Sequence, residues 1–334
     1  MQKITNTSPF KIYEGDKLIP DGAKSIPPKE VRVQRYQLLA EKLDFQILEV
    51  ISELGYCTSK QITEMLNLRG ITCIYKNNKQ SSEGESVLVD EEGEVTHSKV
   101  QSRLNVLKNN VLVTRYRFSV TKDEKGESKD PNIRAYVLQH FGSLILSNRG
   151  IKTTWDPGYV FKTLVEIKKI LLKNNVLVAH LRDLQNVVTG KSFKIRHPSI
   201  GQLLEPVLIS LKNEKEDIIP FFFEAVRNNE GYKAELTSTV KDYLSYFRSF
   251  APTKDIPRTP RLVLIGEDEL HLADIYNTLE EHNLTDIISK GSIMLTTDNR
   301  ASENLREMFV QIKKEEDKIK YTILKSKLYA DTSS

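Results

Sequence analysis

HSKVQSRLNVLKNNVLVTRYRF, residues 97–118, changes periodicity part-way along. Val100, Leu104 and Leu107 recur at helical spacing, and Ser98 followed three residues later by Gln101 reads as a capping box. The rest of this helix carries His97, Lys99, Gln101, Ser102, Arg103, Asn105 and Lys108. Beyond it the pattern alternates as a strand does, with Arg115 and Arg117 on one side and Tyr116 and Phe118 on the other. The stretch holds five Lys or Arg and no acid. A solvated helix usually mixes signs, so the bias points to a polyanion, and amides, hydroxyls and guanidinium forks suit phosphates and base edges. The arginines would touch phosphate while the aromatics pack inward. The blander alternatives are a basic helix exposed to water and arginines that are merely solvated.

Upstream, DFQILEVISELG (44–55) places Phe45, Ile47, Leu48, Val50, Ile51 and Leu54 on a wide apolar helical face, closed by Gly55. TSKQITEMLNL follows, with Thr58 and Gln61 as a capping box and Ile62, Met65 and Leu66 as the apolar face. Two short amphipathic helices and a tight turn make the front of a helix-turn-helix. Downstream, VLVTRYRFSV and IRAYVLQH read as two strands around the polar segment TKDEKGESKDPN, a hairpin with a long tip. Residues 69–96 separate the second and third helices and contain ITCIYK and SVLVD, a potential small hairpin. Residues 81–96 hold six acids and no base. They read either as a solvated loop or as an acidic flap lying against the basic third helix and weakening its hold on random DNA.

The order helix, helix, helix, hairpin, with the segment from Tyr136 to Gly142 after it, resembles the winged helix superfamily. The expectation is that Asp44 to Arg149 bind double-stranded DNA, with His97, Ser98, Lys99, Gln101, Ser102, Arg103, Asn105, Lys108, Arg115 and Arg117 as the contact set.

The composition bounds this reading. With 334 residues and 39% hydrophobic content, two domains are expected. The net charge of +4 is small, so the nucleic-acid argument rests on where the charge sits. Cys57 and Cys73 have no metal-ligand spacing, which suits a reduced, cytoplasmic chain. The first 30 residues carry no long apolar run, and no apolar stretch reaches the roughly 18 residues of a membrane span. The predicted organisation is an N-terminal arm (1–40), a DNA-binding domain (41–150), a helical linker (151–200) and an α/β domain (201–334). LKNNVLV occurs twice, at 107–113 and 172–178. The second copy has neither a helix pair before it nor a hairpin after it, so coincidence in a Lys/Asn-rich chain is the better reading.

PGYVFKTLVEIKKILLKNNVLVAHLRDLQNVV (157–188) reads as helix. After Gly201, EPVLISL and IIPFFFEAV form a buried hairpin, KAELTSTVKDYLSYFRSF a helix, RLVLIG a strand, ELHLADIYNTLEEHN a helix and GSIMLTT a strand. The acids of GEDELH (266–271) read as a loop and N-cap cluster favouring that helix's N-terminus. The last stretch, from Ser302, starts as helix, and periodicity leaves its end open between helix and strand. Strand pair, helix, strand, helix, strand is an α/β layer architecture. It resembles the restriction-endonuclease-like fold. The fold class is therefore an α+β winged helix-turn-helix N-terminal domain followed by an α/β restriction-endonuclease-like domain.

The whole chain is similar to the replication-relaxation family of plasmid and conjugative-element proteins, over residues 44–297. FFFEAVRNNEGYKAELTSTVKDYLSYF carries the likeness, through Glu224, Arg227, Lys241 and Tyr243. Cleavage in such a fold needs two acids on adjacent strands to hold a divalent metal, and a lysine near the attacking water. Glu224 fits one acid. The lysine position two residues on is Val226, and the upstream acid would have to be Glu205. Lys241 is the substitute lysine. The set is incomplete, so Glu224 reads better as a strand-end carboxylate paired with Arg227 or Lys241.

The leading expectation is a sequence-specific DNA-binding protein of a mobile genetic element, an accessory factor in transfer or replication or a transcriptional regulator, without a cofactor. A targeted nuclease using magnesium or manganese is the second reading. An adaptor binding a relaxase, a replication protein or a second copy of the chain as a homodimer is the third.

Overall fold

The computed structural model describes residues 8, 10–13, 15–21, 42–80, 86–119, 133–153, 162–198, 200–284, 288, 291–315, 318–324 and 327–329. It is a mixed α/β protein with a small N-terminal sheet region and a seven-stranded mixed sheet. The chain divides into two compact units, Lys17–Thr163 and a second formed by Met1–Asp16 together with Leu164–Ser334.

In the first unit, strand β1 (Lys17–Pro20) is followed by helix α1 (Lys42–Leu54), β2 (Cys57–Thr58), α2 (Ser59–Leu68), β3 (Thr72–Gln80), β4 (Ser86–Glu94), α3 (His97–Asn109), β5 (Val113–Ser119), β6 (Arg134–Leu138) and α4 (His140–Ser147). The apolar faces read from the sequence meet in one core. Ile47, Leu48 and Ile51 of α1, Ile62 and Leu66 of α2, and Val100, Leu104 and Leu107 of α3 are all fully buried. Each buried leucine or isoleucine contributes about 1.5–3 kcal/mol relative to its exposed state. The Thr58 side chain accepts from the Gln61 N–H and the Gln61 side chain accepts from the Thr58 N–H, which closes the expected capping box on α2.

The four-stranded sheet has the order β1-β5-β6-β2, with each pairing antiparallel. Thus Lys17–Pro20, within the segment expected to be an arm, adds a strand to the β5–β6 hairpin. Residues 120–132, which include the expected hairpin tip, lie outside the described residues. The interval between α2 and α3 is not an open loop along its described length. β3 and β4 pair antiparallel from Thr72 opposite Glu94 to Gln80 opposite Ser86.

Gly142, at the start of α4, is required by a close approach. A Cβ there would lie 2.5 Å from the Leu112 carbonyl oxygen and 2.7 Å from Leu138 Cδ1.

The second unit contains α5 (Leu164–Asp183), β7 (Val187–Ser192), β8 (Val207–Lys212), β9 (Ile218–Ala225), α6 (Tyr232–Arg248), β10 (Arg261–Gly266), α7 (Glu269–Glu281), β11 (Ile293–Thr297), α8 (Asp298–Glu303), β12 (Phe309–Glu315) and β13 (Lys318–Leu324). The expected helix to residue 188 stops at Asp183, and Val187–Ser192 is an edge strand instead. The undecided C-terminal stretch resolves into the antiparallel pair β12–β13. β7, β8 and β9 form an antiparallel meander, and β9, β10 and β11 run parallel.

Strand alternation splits the phenylalanines of β9 between the two sheet faces. Phe222 packs with Tyr243, Tyr246 and Phe247 of α6, whereas Phe223 meets the His180 ring of α5 edge-on. Helices therefore cover both faces of the sheet.

Ser8 to Asp16 belongs to this unit. Ser8 hydrogen-bonds Asp298, Lys11 Nζ lies 2.9 Å from Asp268, and Lys168 Nζ lies 2.8 Å from Asp16, with both members of the last pair 1% exposed. Asp268 is the N-cap of α7 and accepts from the His271 N–H, as the acidic cluster before that helix led one to expect.

Candidate nucleic-acid interface

The N-cap of helix α3 lies two residues before the one the sequence suggests. Its N-cap is Thr96, whose hydroxyl accepts from the Lys99 N–H, and not Ser98 with Gln101. Ser98 is already inside the helix, and its hydroxyl pairs with that of Thr96 at 3.2 Å.

At 3.6 residues per turn, the stripe opposite Val100, Leu104 and Leu107 consists of Ser98, Ser102, Asn105 and Asn109, with Gln101 beside it. All five are exposed. Lys99 and Lys108 are half-buried and flank this stripe on opposite sides. His97 is exposed, and its Nε2 lies 2.7 Å from the Ser59 hydroxyl at the start of α2.

Arg103 does not stand on that outer face as expected. Its Nε and Nη2 donate to the two carboxylate oxygens of Asp44 at 2.7 and 2.6 Å, where Asp44 is wholly buried. The bidentate pair joins α3 to the first turn of α1. Nothing local in the sequence links residues this far apart.

Arg115 is engaged in a second ion pair. Its Nε donates to Asp21 at 2.7 Å and its Nη1 donates to the Asn105 side-chain oxygen at 3.0 Å. Asp21 follows β1 directly, and its N–H bonds the Arg115 carbonyl at 2.7 Å. Partial burial works against the Asp21 charge, but the Arg115 guanidinium outweighs it and holds the carboxyl below its ordinary value. Arg117 is more exposed, with Nε 3.7 Å from Asp21. Tyr116 and Phe118 are buried on the other face of β5, as alternation requires.

The β3–β4 insertion is anchored next to α3. The Tyr75 hydroxyl donates to the Glu94 carbonyl at 2.8 Å and accepts from the Thr96 N–H at 3.0 Å. Asn67, in the last turn of α2, makes paired bonds with the backbone of Val95. Residues 81–85, part of the expected acidic flap, lie outside the described residues.

The other expected cluster assembles differently. Glu224 is paired neither with Arg227 nor with Lys241. Its Oε1 lies 3.2 Å from Lys173 Nζ, and its Oε2 accepts from the Tyr243 hydroxyl at 2.9 Å. Lys173 Nζ also donates to the Glu205 carbonyl at 2.5 Å, while the Glu205 carboxylate lies 3.3 Å from Lys194. Burial, with the Glu224 charge added, pushes the Tyr243 phenol well up. Lys241 is exposed, on the same helix as Tyr243. Arg227 is fully buried and makes a bidentate pair with Asp298, both contacts at 2.6 Å.

The ammonium of Lys173, from α5, therefore sits between the two residues proposed as metal ligands. Among the described residues, no group of three or more His, Cys, Asp or Glu is placed to hold a metal ion. None of their helices is long and apolar enough to cross a membrane. Comparison with protein-family models, curated proteins and solved structures gave no match for this chain.

Proposed function

We propose that Lys17–Thr163 is a winged helix-turn-helix that binds double-stranded DNA, with α3 in the major groove and the β5–β6 hairpin as the wing beside the phosphates. The observation that carries this reading is the outer face of α3. Its exposed residues are amides and hydroxyls, it contains no acid, and lysines border it on both sides. The capped helix α2 before it and the hairpin after it support the same reading. The resemblance to the replication-relaxation family supplies the context, an accessory factor of transfer or replication, or a transcriptional regulator, on a mobile genetic element.

The test is fluorescence anisotropy with labelled duplexes, first random and then taken from the DNA flanking the protein's own gene. Affinity that falls linearly with log salt, together with preference for one fragment, is the expected result. Absence of binding to any duplex at about 20 mM salt overturns the reading.

The order of α5, the β7–β8–β9 meander, α6 and the parallel strand β10 favours kinship of the second unit with the restriction-endonuclease-like fold. A nuclease is the second functional reading. The commitment of Glu224 to Lys173 and Tyr243 argues for a structural role of that carboxylate. Supercoiled plasmid incubated with magnesium or manganese is expected to stay intact. Nicking that disappears in Glu224→Ala would make this unit a nuclease directed by the DNA-binding unit.

A further inference from the structure

The outer face of α3 lacks the side chain that most often reads guanine. Recognition of guanine in the major groove is dominated by arginine or lysine forked onto O6 and N7, whereas carboxamides of Asn and Gln pair in the same bidentate way with adenine N6 and N7. Arg103 spends its fork on buried Asp44, and Arg115 spends its own on Asp21 and Asn105. Lys99 and Lys108 lie to either side of the stripe, where phosphates of the two strands would pass. What remains at the centre is Ser98, Ser102, Asn105 and Asn109, with Gln101 one turn before Asn105, and of the two asparagines Asn105 is the one whose amide is held by Arg115.

The contact between Arg115 and Asn105 also decides how the amide is turned. A guanidinium offers only donors, so the end of Asn105 that faces it must be the oxygen. The carboxamide NH2 group is then directed away from Arg115. The oxygen keeps a second lone pair. One donor and one acceptor side by side form the pattern that complements adenine N7 and N6. Gln101 and Asn105 are four residues apart on a helix rising about 1.5 Å per residue. Their amides are thus separated by about 6 Å along the axis, within reach of neighbouring base pairs.

We propose that α3 reads adenine–thymine pairs, that Asn105 is the residue fixing base identity, and that Arg115 and Asp21 are positioning residues holding its amide in the reading orientation. The proposal rests on the DNA-binding reading above and adds the base class to it. It also takes Arg115 out of the set of free phosphate contacts.

The experiment is selection from a randomised duplex pool by the full chain, with the bound fraction sequenced. The expected motif contains adjacent adenine–thymine pairs. In Asn105→Ala the preference at one of those positions disappears, while the preference at the other positions of the motif is kept. Arg115→Lys and Asp21→Asn relax the same position, which a merely structural role for the pair would not do selectively.

Base analogues test the same contact on the unaltered protein, free of any stability loss in the Arg115 and Asp21 variants. Placing 7-deazaadenine, which lacks N7, at the Asn105 position is expected to weaken binding about tenfold, one of the two bonds of a bidentate contact being lost. A motif centred on guanine, or a preference untouched by both Asn105→Ala and 7-deazaadenine, overturns the inference while leaving DNA binding in place. Failure to bind any duplex at low salt removes both together.

Discussion

Arg103 and Asp44 form a two-bond ion pair in the interior of the first unit, with the carboxylate fully shielded from water and the guanidinium side chain 12% exposed. Two charges taken out of water are tolerable only as a pair. The arginine that the sequence offered as a base-reading group is therefore a tie between two helices.

Arg103→Ala is expected to destabilise the first unit by about 3–5 kcal/mol, because the buried Asp44 carboxylate loses its bidentate guanidinium. Chemical denaturation followed by circular dichroism measures this. The paired replacement Asp44→Leu with Arg103→Met should recover a large part of the loss. Loss of DNA binding in Arg103→Ala that exceeds its unfolded fraction would return Arg103 to the contact set.

Gly142→Ala should destabilise the same unit by about 1–3 kcal/mol, the usual cost of forcing extra volume into a packed site. The added methyl meets a backbone carbonyl, that of Leu112, which already accepts from the Gln139 N–H at 2.9 Å. An unchanged unfolding midpoint would show that the α4 turn shifts freely.

Val111 occupies the left-handed region at φ 60°, an uncommon conformation for a β-branched residue. Val111→Gly relieves a penalty of about 1–2 kcal/mol and adds about 0.5–1 kcal/mol of unfolded-chain entropy. The expected net effect is a stabilisation of about 0.5–1 kcal/mol, read as a higher melting temperature. A lower one would show that the packing of the valine side chain outweighs its backbone strain.

The same valine marks where sequence reading reaches its limit. LKNNVLV at 107–113 ends a helix, turns at Val111 and enters β5, whereas LKNNVLV at 172–178 lies entirely within α5. Seven identical residues adopt two structures because the core around each differs. The stripe of Val100, Leu104 and Leu107 was legible because helical periodicity is local, and so were the apolar runs of β8 and β9. The edge strand β7, VVTGKS, was not, since an edge strand needs little apolar character. Partners distant in the chain were also hidden. Asp44 for Arg103, Asp21 for Arg115 and Lys173 for Glu224 leave no mark in any short window.

His180 is buried against Phe223 and Tyr329, and its Nε2 has no hydrogen-bond partner among the described residues. Burial lowers its pKa to about 4, against the pull of the Val176 carbonyl and Asp183. The folded state thus disfavours the proton that the unfolded chain accepts near 6.5. Stability is complete above about pH 6.5 and is lost as pH falls towards 4, at about 1.4 kcal/mol per unit. His271, also lowered to about 4 by burial and then by Arg227, acts in the same direction. Between pH 7 and pH 5, His180→Phe should lose about 2 kcal/mol less than the unaltered protein. Equal losses in the two would place the acid sensitivity elsewhere.

The seven-stranded unit is not a continuous stretch of chain. Its first piece ends at Asp16 and its second starts at Leu164, and the Lys168 ammonium takes both its Asp16 partner and the Lys11 carbonyl from the first piece. A gene cut at codon 164 would encode the buried Lys168 without the Asp16 carboxylate and the Lys11 carbonyl that it binds here. Lys17–Thr163 thus has the status of an insert within a host fold. A single recombination breakpoint cannot exchange one unit for another, and shuffling that preserves folding requires two breakpoints, one on each side of the insert.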